Sequence, residues 1–335
     1  MSKRFVAAAL FAIVAGAFVS AQAPYKAPRT PWGDPDLSGV YSNDDETGTP
    51  LERPAEFEGR RLEDITPDEL KKINEQRTEQ FNAGVAGTEF AGGLRPPTHL
   101  IFDPFVRKNS RAWLITEPSN GRVPALTFEA LERLKRPQRG VSTNANPVGP
   151  FDSYLDMGLY DRCITRGIPG SMMPAIYGNA YEILQGPGYV AIQYEMVHET
   201  RIIPLGGQPH PGPNIKLYMG DAKGHWDGNT LVVETTNFTE RTAYRGSSEY
   251  LKIIERFTPT SPETVEWSST FDDPHTWTRP WTFAMNLTKK DASQRPFEYA
   301  CHEGNYGMVG MLDAARAEEK AGAAVNSPRD AEGER

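Results

Sequence analysis

The chain has 335 residues and a formal net charge of -8 at pH 7. Nucleic-acid-binding proteins need a basic surface, so this charge argues against a nucleic-acid partner. Only two cysteines occur, Cys163 and Cys301, which are too few for a zinc finger, an iron–sulfur cluster or a CxxC redox motif.

The first residues have the pattern of a secretory signal peptide. Lys3 and Arg4 precede an apolar run over 5–19, and small residues follow it. The run is too short for a transmembrane helix, which favours a signal peptide. The small residues predict cleavage after Ala21, so the signal peptide would span 1–21. We therefore expect a periplasmic or secreted protein without a membrane span.

The segment 22–95 is predicted to contain a leader, a first strand and a helical insertion. The stretch PDLSGVY (35–41) is typical of a short strand. Residues 66–69, TPDE, form a capping box with proline at the first helical position. A helix is therefore expected from there to about Phe81.

A β-barrel-like domain is predicted over 96–307, because short alternating segments separated by turns follow one another from Tyr181 onward. We expect a mainly β fold, an antiparallel meander that closes as a lipocalin-like barrel or forms a curved sheet. A C-terminal helix over 308–324 and a disordered tail over 325–335 should follow. The nine predicted strands are 181–185, 189–195, 200–205, 214–220, 230–238, 251–258, 263–271, 276–287 and 297–301.

The alternation places one arginine in an aromatic row. Trp277, Arg279 and Trp281 fall on one face of the strand predicted over 276–287. A guanidinium buried there needs a carboxylate, a ring face or an anionic ligand. One hypothesis is an internal ion pair or cation–π stack, and the other is an anion-binding arginine in a small-molecule pocket. A bulge at Pro280 would break this register.

The densest group of polar side chains lies in the predicted hairpin and exit loop over 193–210. A histidine near two carboxylates suits proton transfer, with His198 as acid or base and Glu195 or Glu199 orienting it. Arg201 or Arg279 would stabilise an anion. The alternative is a solvated hairpin tip. The candidate catalytic residues are His198, Glu195, Glu199, Arg201 and His210.

A metal centre receives little support from the histidine spacing. The sequence contains neither HExxH nor an HxH pair, although His198, His210 and Glu195 could form a composite site if they met in space. Neither a metal nor another cofactor is therefore predicted.

The stretch YACHEGNYG (299–307) sets Cys301, His302 and Glu303 in succession. On a strand, Cys301 and Glu303 would share a face and His302 would point away, so the three side chains would not converge. In an oxidising compartment Cys301 is expected to form a disulfide with Cys163, worth about 5 kcal/mol in the chain-entropy account. His302 or Glu303 remains a secondary candidate for substrate binding.

Several stretches resemble motifs of a large group of exported bacterial proteins of unassigned function. The resemblance covers nearly the whole chain after the signal peptide and implies location and fold more than a reaction. The SGVY start followed by a meander also resembles the opening of lipocalin-type barrels. The matching motifs are DRCITRGIPGSMMP (161–174), WDGNTLVVETTNF (226–238), DDPHTWTRPW (272–281) and YACHEGNYG (299–307).

These observations favour an exported protein with an apolar or aromatic small-molecule pocket. The first hypothesis is a cofactor-free acid–base enzyme, a lyase, isomerase or hydrolase, that acts on a hydrophobic or aromatic substrate. The alternative is a periplasmic binding or carrier protein without catalysis. The expected substrate-binding residues are Arg279, Trp277, Trp281, Tyr194, Glu303 and His302.

Overall fold

The computed structural model describes residues 25–87, 108–135, 140, 151–175 and 178–321. The predicted signal peptide (1–21) and C-terminal tail (325–335) lie outside these residues. The described helices are α1 (Pro67–Gly87), α2 (Phe128–Leu134) and α3 (Tyr306–Ala321). The described strands are β1 (Gly39–Ser42), β2 (Ile115–Glu117), β3 (Ala180–Gly186), β4 (Tyr189–Tyr194), β5 (Thr200–Pro204), β6 (Asp221–Asp227), β7 (Thr230–Thr236), β8 (Lys252–Ser261), β9 (Thr264–Asp272) and β10 (Trp281–Lys290).

All ten strands belong to one antiparallel sheet. Its order is β5-β4-β3-β1-β10-β9-β8-β7-β6, and β2 pairs with β10 beside this path. The predicted mainly β fold with an antiparallel meander is therefore confirmed. No ladder joins β5 to β6 among the described residues, so the sheet is curved and open.

The strands form because their side chains alternate between a buried and an exposed face. In β9, Val265, Trp267, Ser269 and Phe271 are buried, and the residues between them are partly exposed. Phe271 stacks on Trp281 of β10 at a centroid distance of 4.4 Å. The concave face of the sheet is thus filled by its own large side chains.

The two edge strands approach each other through side chains. A Cβ placed on Gly224 of β6 would lie 2.8 Å from both Ile203 Cγ2 of β5 and Leu205 Cδ2. A larger residue at this position would force these two side chains to shift, because real Cβ atoms do not approach other atoms so closely. The seam between β5 and β6 is therefore packed rather than hydrogen-bonded.

A buried ion pair crosses the interior near this seam. Arg201 of β5 places Nη2 2.6 Å from Glu255 Oε2 of β8, and both side chains are at most 3% exposed. Arg201 Nη2 also donates to Thr235 Oγ1 of β7 at 2.5 Å, and Trp267 Nε1 donates to Glu255 Oε1 at 3.2 Å. Four strands thus meet at one charged cluster inside an aromatic core.

Two predicted strands do not form. The stretch 214–220 lies in the loop between β5 and β6, where the side chain of Asn237 donates to the carbonyls of Pro211, Gly212 and Ile215. The stretch 297–301 is also irregular, and Phe297 is 76% exposed. Strand β6 was not predicted from the sequence.

The predicted disulfide between Cys163 and Cys301 is confirmed, with the two Cα atoms 5.7 Å apart. It joins the segment 151–175 to the turn that precedes α3. Asn305 reinforces the joint, because its Nδ2 donates to Asp161 O at 2.7 Å. Among the described residues, no helix is long and apolar enough to cross a membrane.

Replacing Arg201 with methionine should destabilise the fold far more than the same change at Arg256. Arg201→Met leaves the Glu255 carboxylate buried without its partner, which should lower the free energy of unfolding by about 3–5 kcal/mol. Arg256 follows Glu255 in β8, is exposed, and pairs with Asp227 at 2.7 Å. Its replacement should cost less than about 1 kcal/mol. Denaturant unfolding of both variants measures the difference, and equal losses would contradict the role of the buried pair.

Candidate functional site

The turn between β4 and β5 carries three of the predicted catalytic residues. Glu195, His198 and Glu199 follow the end of β4, and His198 N donates to Glu195 O at 3.1 Å. Val197 and His198 adopt left-handed backbone conformations, with φ of 61° and 57°. A β-branched residue rarely adopts such a φ, and strained backbone of this kind clusters at functional sites.

Glu199 is half-buried and has no cationic partner among the described residues. Its Oε2 accepts a hydrogen bond from Thr165 Oγ1 at 2.6 Å. Burial raises the pKa of Glu199, and the hydrogen bond from Thr165 opposes that rise only in part. The carboxyl group therefore favours its neutral form more than an exposed glutamate does.

Glu195 resembles Glu199 in its environment. Its Oε2 accepts a hydrogen bond from the backbone N–H of Ala180, at 3.1 Å. Burial raises the pKa of Glu195, and the nearby carboxylate of Asp44 adds to the rise. Two carboxyl groups with raised pKa therefore flank His198 in the sequence.

A raised pKa alone does not mark a functional group in this protein. Burial also raises the pKa of Glu46, which is 1% exposed. Glu46 accepts hydrogen bonds from the backbone N–H groups of Ser110 and Asn286, each at 3.1 Å, and so fixes a loop to β10. Glu195 accepts one backbone hydrogen bond, from Ala180, Glu199 accepts one from the Thr165 hydroxyl, and both carboxyl groups remain partly accessible.

His198 itself is exposed. The only contact of its ring among the described residues is Gln193 Nε2, 3.3 Å from the ring Nε2. The imidazole is therefore free to meet a substrate, but no carboxylate fixes its orientation. The predicted pairing of His198 with Glu195 or Glu199 through a side-chain hydrogen bond does not occur here.

The segment 151–175 supplies a cover for this turn. Thr165 is fully buried, its Oγ1 accepts from Gly167 N at 2.9 Å, and it lies 3.3 Å from Met219 Sδ. Cys163, two residues earlier, ties the segment to Cys301. The disulfide thus holds the chain that positions the Thr165 hydroxyl against Glu199.

His210 lies apart from this cluster. Its Nδ1 is 2.6 Å from Asp221 Oδ2 and its Nε2 is 3.3 Å from Glu234 Oε1. Asp221 and Glu234 project from the outer faces of β6 and β7, so His210 fastens the exposed loop after β5 to the sheet. The structure does not bring His210 together with His198 and Glu195. Among the described residues no group of three histidine, cysteine, aspartate or glutamate side chains could hold a metal ion.

The predicted position of Arg279 within the aromatic row is wrong. Arg279 is exposed, because Pro280 interrupts the extended chain and β10 begins only at Trp281. Trp277 and Trp281 are at most 2% exposed and pack edge-to-face at 5.5 Å. Tyr194 is likewise fully buried. These three aromatic side chains are packed within the core and leave no exposed ring to bind a substrate.

The sequence predicted a buried guanidinium at Arg279, but the buried arginine of the structure is Arg201. Burial tends to lower its pKa, but the adjacent Glu255 carboxylate more than offsets this and raises it. With its charge already balanced by Glu255, Arg201 is a structural residue.

His302 and Glu303 are both exposed in a turn beside the disulfide, not on a strand. A groove of about 450 Å³ runs next to them. Burial raises the pKa of Asp161, which also lines this groove. The residues along it are Tyr160, Asp161, Cys163, Tyr299, Ala300, Cys301, Gly304 and Asn305.

A larger cavity of about 580 Å³ opens at the opposite end of the sheet. Its walls include Tyr25 and Tyr41, the carboxylates of Asp36 and Glu263, and the ammonium group of Lys289. The mixture of charges makes this cavity polar, in contrast to the apolar pocket that the sequence predicted.

No protein-family model, no curated protein sequence and no solved structure matches this chain. The chemistry of the described side chains therefore carries the functional argument.

Sequence reasoning missed Thr165 and Glu255, for different reasons. Glu255 lies between Ile253 and Phe257 on the inward face of β8, so the alternation in this strand already indicated a buried carboxylate. Thr165 follows an irregular segment and meets Glu199 across 34 residues of sequence. No periodicity or motif in a single sequence reports such a contact.

Replacing Glu199 with glutamine should stabilise the protein at alkaline pH. The raised folded-state pKa means that the neutral group supports the fold at low pH and that this support is lost as pH rises through that pKa. Glu199→Gln should therefore be more stable by up to about 1 kcal/mol at about pH 8 and equal to the unsubstituted protein at about pH 4. Denaturant unfolding at both pH values measures this. The exposed Glu298→Gln is the control, and a loss of stability for Glu199→Gln at the higher pH would contradict the argument.

Proposed function

We propose that this protein is an exported, cofactor-free acid–base enzyme whose reaction centre lies at the β4–β5 turn. The observation that carries the proposal is that two partly accessible carboxyl groups, Glu195 and Glu199, flank the exposed His198 in one strained turn. Burial raises the pKa of both carboxyl groups. Titratable groups perturbed in this way, next to strained backbone, are typical of proton-transfer sites.

Each side chain has an atom available for proton transfer. Thr165 Oγ1 is hydrogen-bonded to Oε2 of Glu199, which leaves Oε1 to donate a proton to a leaving group or a carbonyl oxygen. The backbone N–H of Ala180 is hydrogen-bonded to Oε2 of Glu195 in the same way. The exposed imidazole of His198 would accept the proton that the substrate loses. The reaction class is thus a lyase, an isomerase or a hydrolase that needs no redox step.

Export is supported by two independent features. The apolar run over 5–19 behind Lys3 and Arg4 has the pattern of a signal peptide. The Cys163–Cys301 disulfide is compatible with an oxidising compartment. The resemblance to exported bacterial proteins agrees with a periplasmic or secreted location.

A second candidate function is small-molecule binding without turnover, and the 580 Å³ cavity favours it. Ligand pockets commonly have volumes of about 300–1,000 Å³. Because Asp36, Glu263 and Lys289 line this cavity, the ligand would carry charge and would differ from the hydrophobic ligand that the sequence predicted.

Turnover should depend on Glu199 and His198 and not on a surface histidine. We expect Glu199→Gln and His198→Ala to lower kcat/KM by at least about 100-fold, because each removes a proton-transfer group. His225→Ala is the matched control, since His225 is exposed on β6. Purified full-length protein would be assayed with a panel of hydrophobic esters, lactones and hydroxy-ketones.

The same assay separates the two candidate functions. Unchanged turnover in Glu199→Gln would contradict the acid–base site. Ligand-dependent thermal shifts without any product would favour the binding protein.

A further inference from the structure

The larger cavity, of about 580 Å³, opens where the inward face of the sheet changes from apolar to charged. Val265 of β9 and Leu287 of β10 are cross-strand partners and are buried in the core. Lys289, two residues after Leu287, lines the cavity together with Val265 and is exposed. Alternate residues of a strand share a face, so Lys289 continues the row of core residues into the cavity. Its partner across the ladder is the buried Tyr41 of β1, which also lines the cavity.

The ammonium group of Lys289 is positioned but not paired. Its side chain makes neither an ion pair nor a hydrogen bond with any described residue, whereas the neighbouring Lys290 Nζ lies 3.9 Å from Asp44 Oδ2. A Cβ placed on Gly39 would lie 3.0 Å from Lys289 Cε and 3.5 Å from its Nζ. The glycine therefore lets the lysine side chain lie close against β1. A cation held in this way can bind an anionic group of a ligand.

Two carboxylates of the same cavity have no cationic partner within the described part of the chain. Asp36 Oδ1 accepts a hydrogen bond from the backbone N–H of Ser38 at 2.9 Å, and the Glu263 carboxylate accepts none there. Burial raises the pKa of Tyr41, and the negative charges of Asp36 and Glu263 add to the rise. Both carboxylates thus lie near the Tyr41 hydroxyl, although they come from segments far apart in sequence.

The unpaired charges define the ligand that would complement them. Of the other charged groups that line the cavity, Lys290 is paired as described, and Asp291 Oδ1 accepts a hydrogen bond from the N–H of Ser293 at 2.8 Å. One ammonium group, that of Lys289, and two carboxylates remain. A ligand that balances them carries one carboxylate and two cationic groups, because complementary charges favour the matching partner and exclude others. Pro259 and Val265 provide an apolar wall for the methylene groups of such a ligand.

We propose that this cavity binds a basic α-amino acid, with the ligand carboxylate on Lys289 and its two cationic groups on Asp36 and Glu263. The inference rests on the second candidate function, small-molecule binding at this cavity, and names the ligand class. It does not depend on the acid–base site, because the residues that line the cavity include none from the β4–β5 turn.

The experiment compares three probes by titration calorimetry on the full-length protein at about pH 7. L-lysine carries all three charged groups, L-norleucine lacks the second ammonium group, and cadaverine lacks the carboxylate. We expect L-lysine to bind at least about tenfold more tightly than either analogue, because each analogue loses one charge-assisted contact.

Two substitutions assign the contacts. Lys289→Met should remove the preference for L-lysine over cadaverine, and Glu263→Gln should reduce the preference for L-lysine over L-norleucine. Lys290→Met is the matched control, since it makes the same change of charge at the next residue, and it should keep the affinity for L-lysine. Circular dichroism of each variant checks that the fold is retained.

Three results would overturn the amino acid site: no binding of L-lysine, binding of L-norleucine as tight as that of L-lysine, or equal losses in Lys289→Met and Lys290→Met. If L-norleucine binds as tightly and Lys289→Met still weakens binding, the cavity remains a charged-ligand site and only the ligand class is wrong. Turnover of the ester and lactone panel by Glu199→Gln tests the acid–base site separately. The failure of either proposal therefore leaves the result for the other unchanged.

Discussion

The buried ion pair between Arg201 and Glu255 is the interaction on which the architecture depends. The sheet has two edges, β5 and β6, and this pair links β5 to β8 through the interior. Thr235 and Trp267 extend the cluster to β7 and β9. Because both groups are buried, separating them would leave each charge unpaired in the interior, so the pair constrains the relative position of these strands.

This filled interior decides where function can be located. Lipocalin-type proteins hold ligands inside the sheet, but here Trp267, Phe271 and Trp281 occupy that space. The two described cavities lie outside this filled interior, toward the ends of the sheet, and the two ends differ. One end carries the polar cavity around Lys289, and the other carries partly buried carboxyl groups under a disulfide-anchored segment. Keeping carboxyl groups such as Glu199 poorly solvated costs stability, which is a common property of proton-transfer sites.

Much of the fold could be predicted, because alternating apolar residues determine which face of a strand is buried. The strands β7, β8 and β9 followed from the sequence in this way, whereas the disulfide followed from the presence of only two cysteines in a chain with a predicted signal peptide. The burial predicted for Arg279 was wrong because one proline ended the alternation, and the buried arginine is Arg201 instead. The β4–β5 turn was identified as a candidate site from its residue types, but its geometry depends on Thr165, a distant residue that sequence periodicity does not reveal.

The central claim is that burial holds the carboxyl group of Glu199 in a state poised to give up a proton. The most direct measurement is a pH titration of the glutamate side-chain carboxyl carbons by NMR on the full chain. Burial should place the titration midpoint of Glu199 above the ordinary glutamate value of about 4.3. A midpoint at or below that value would contradict the claim.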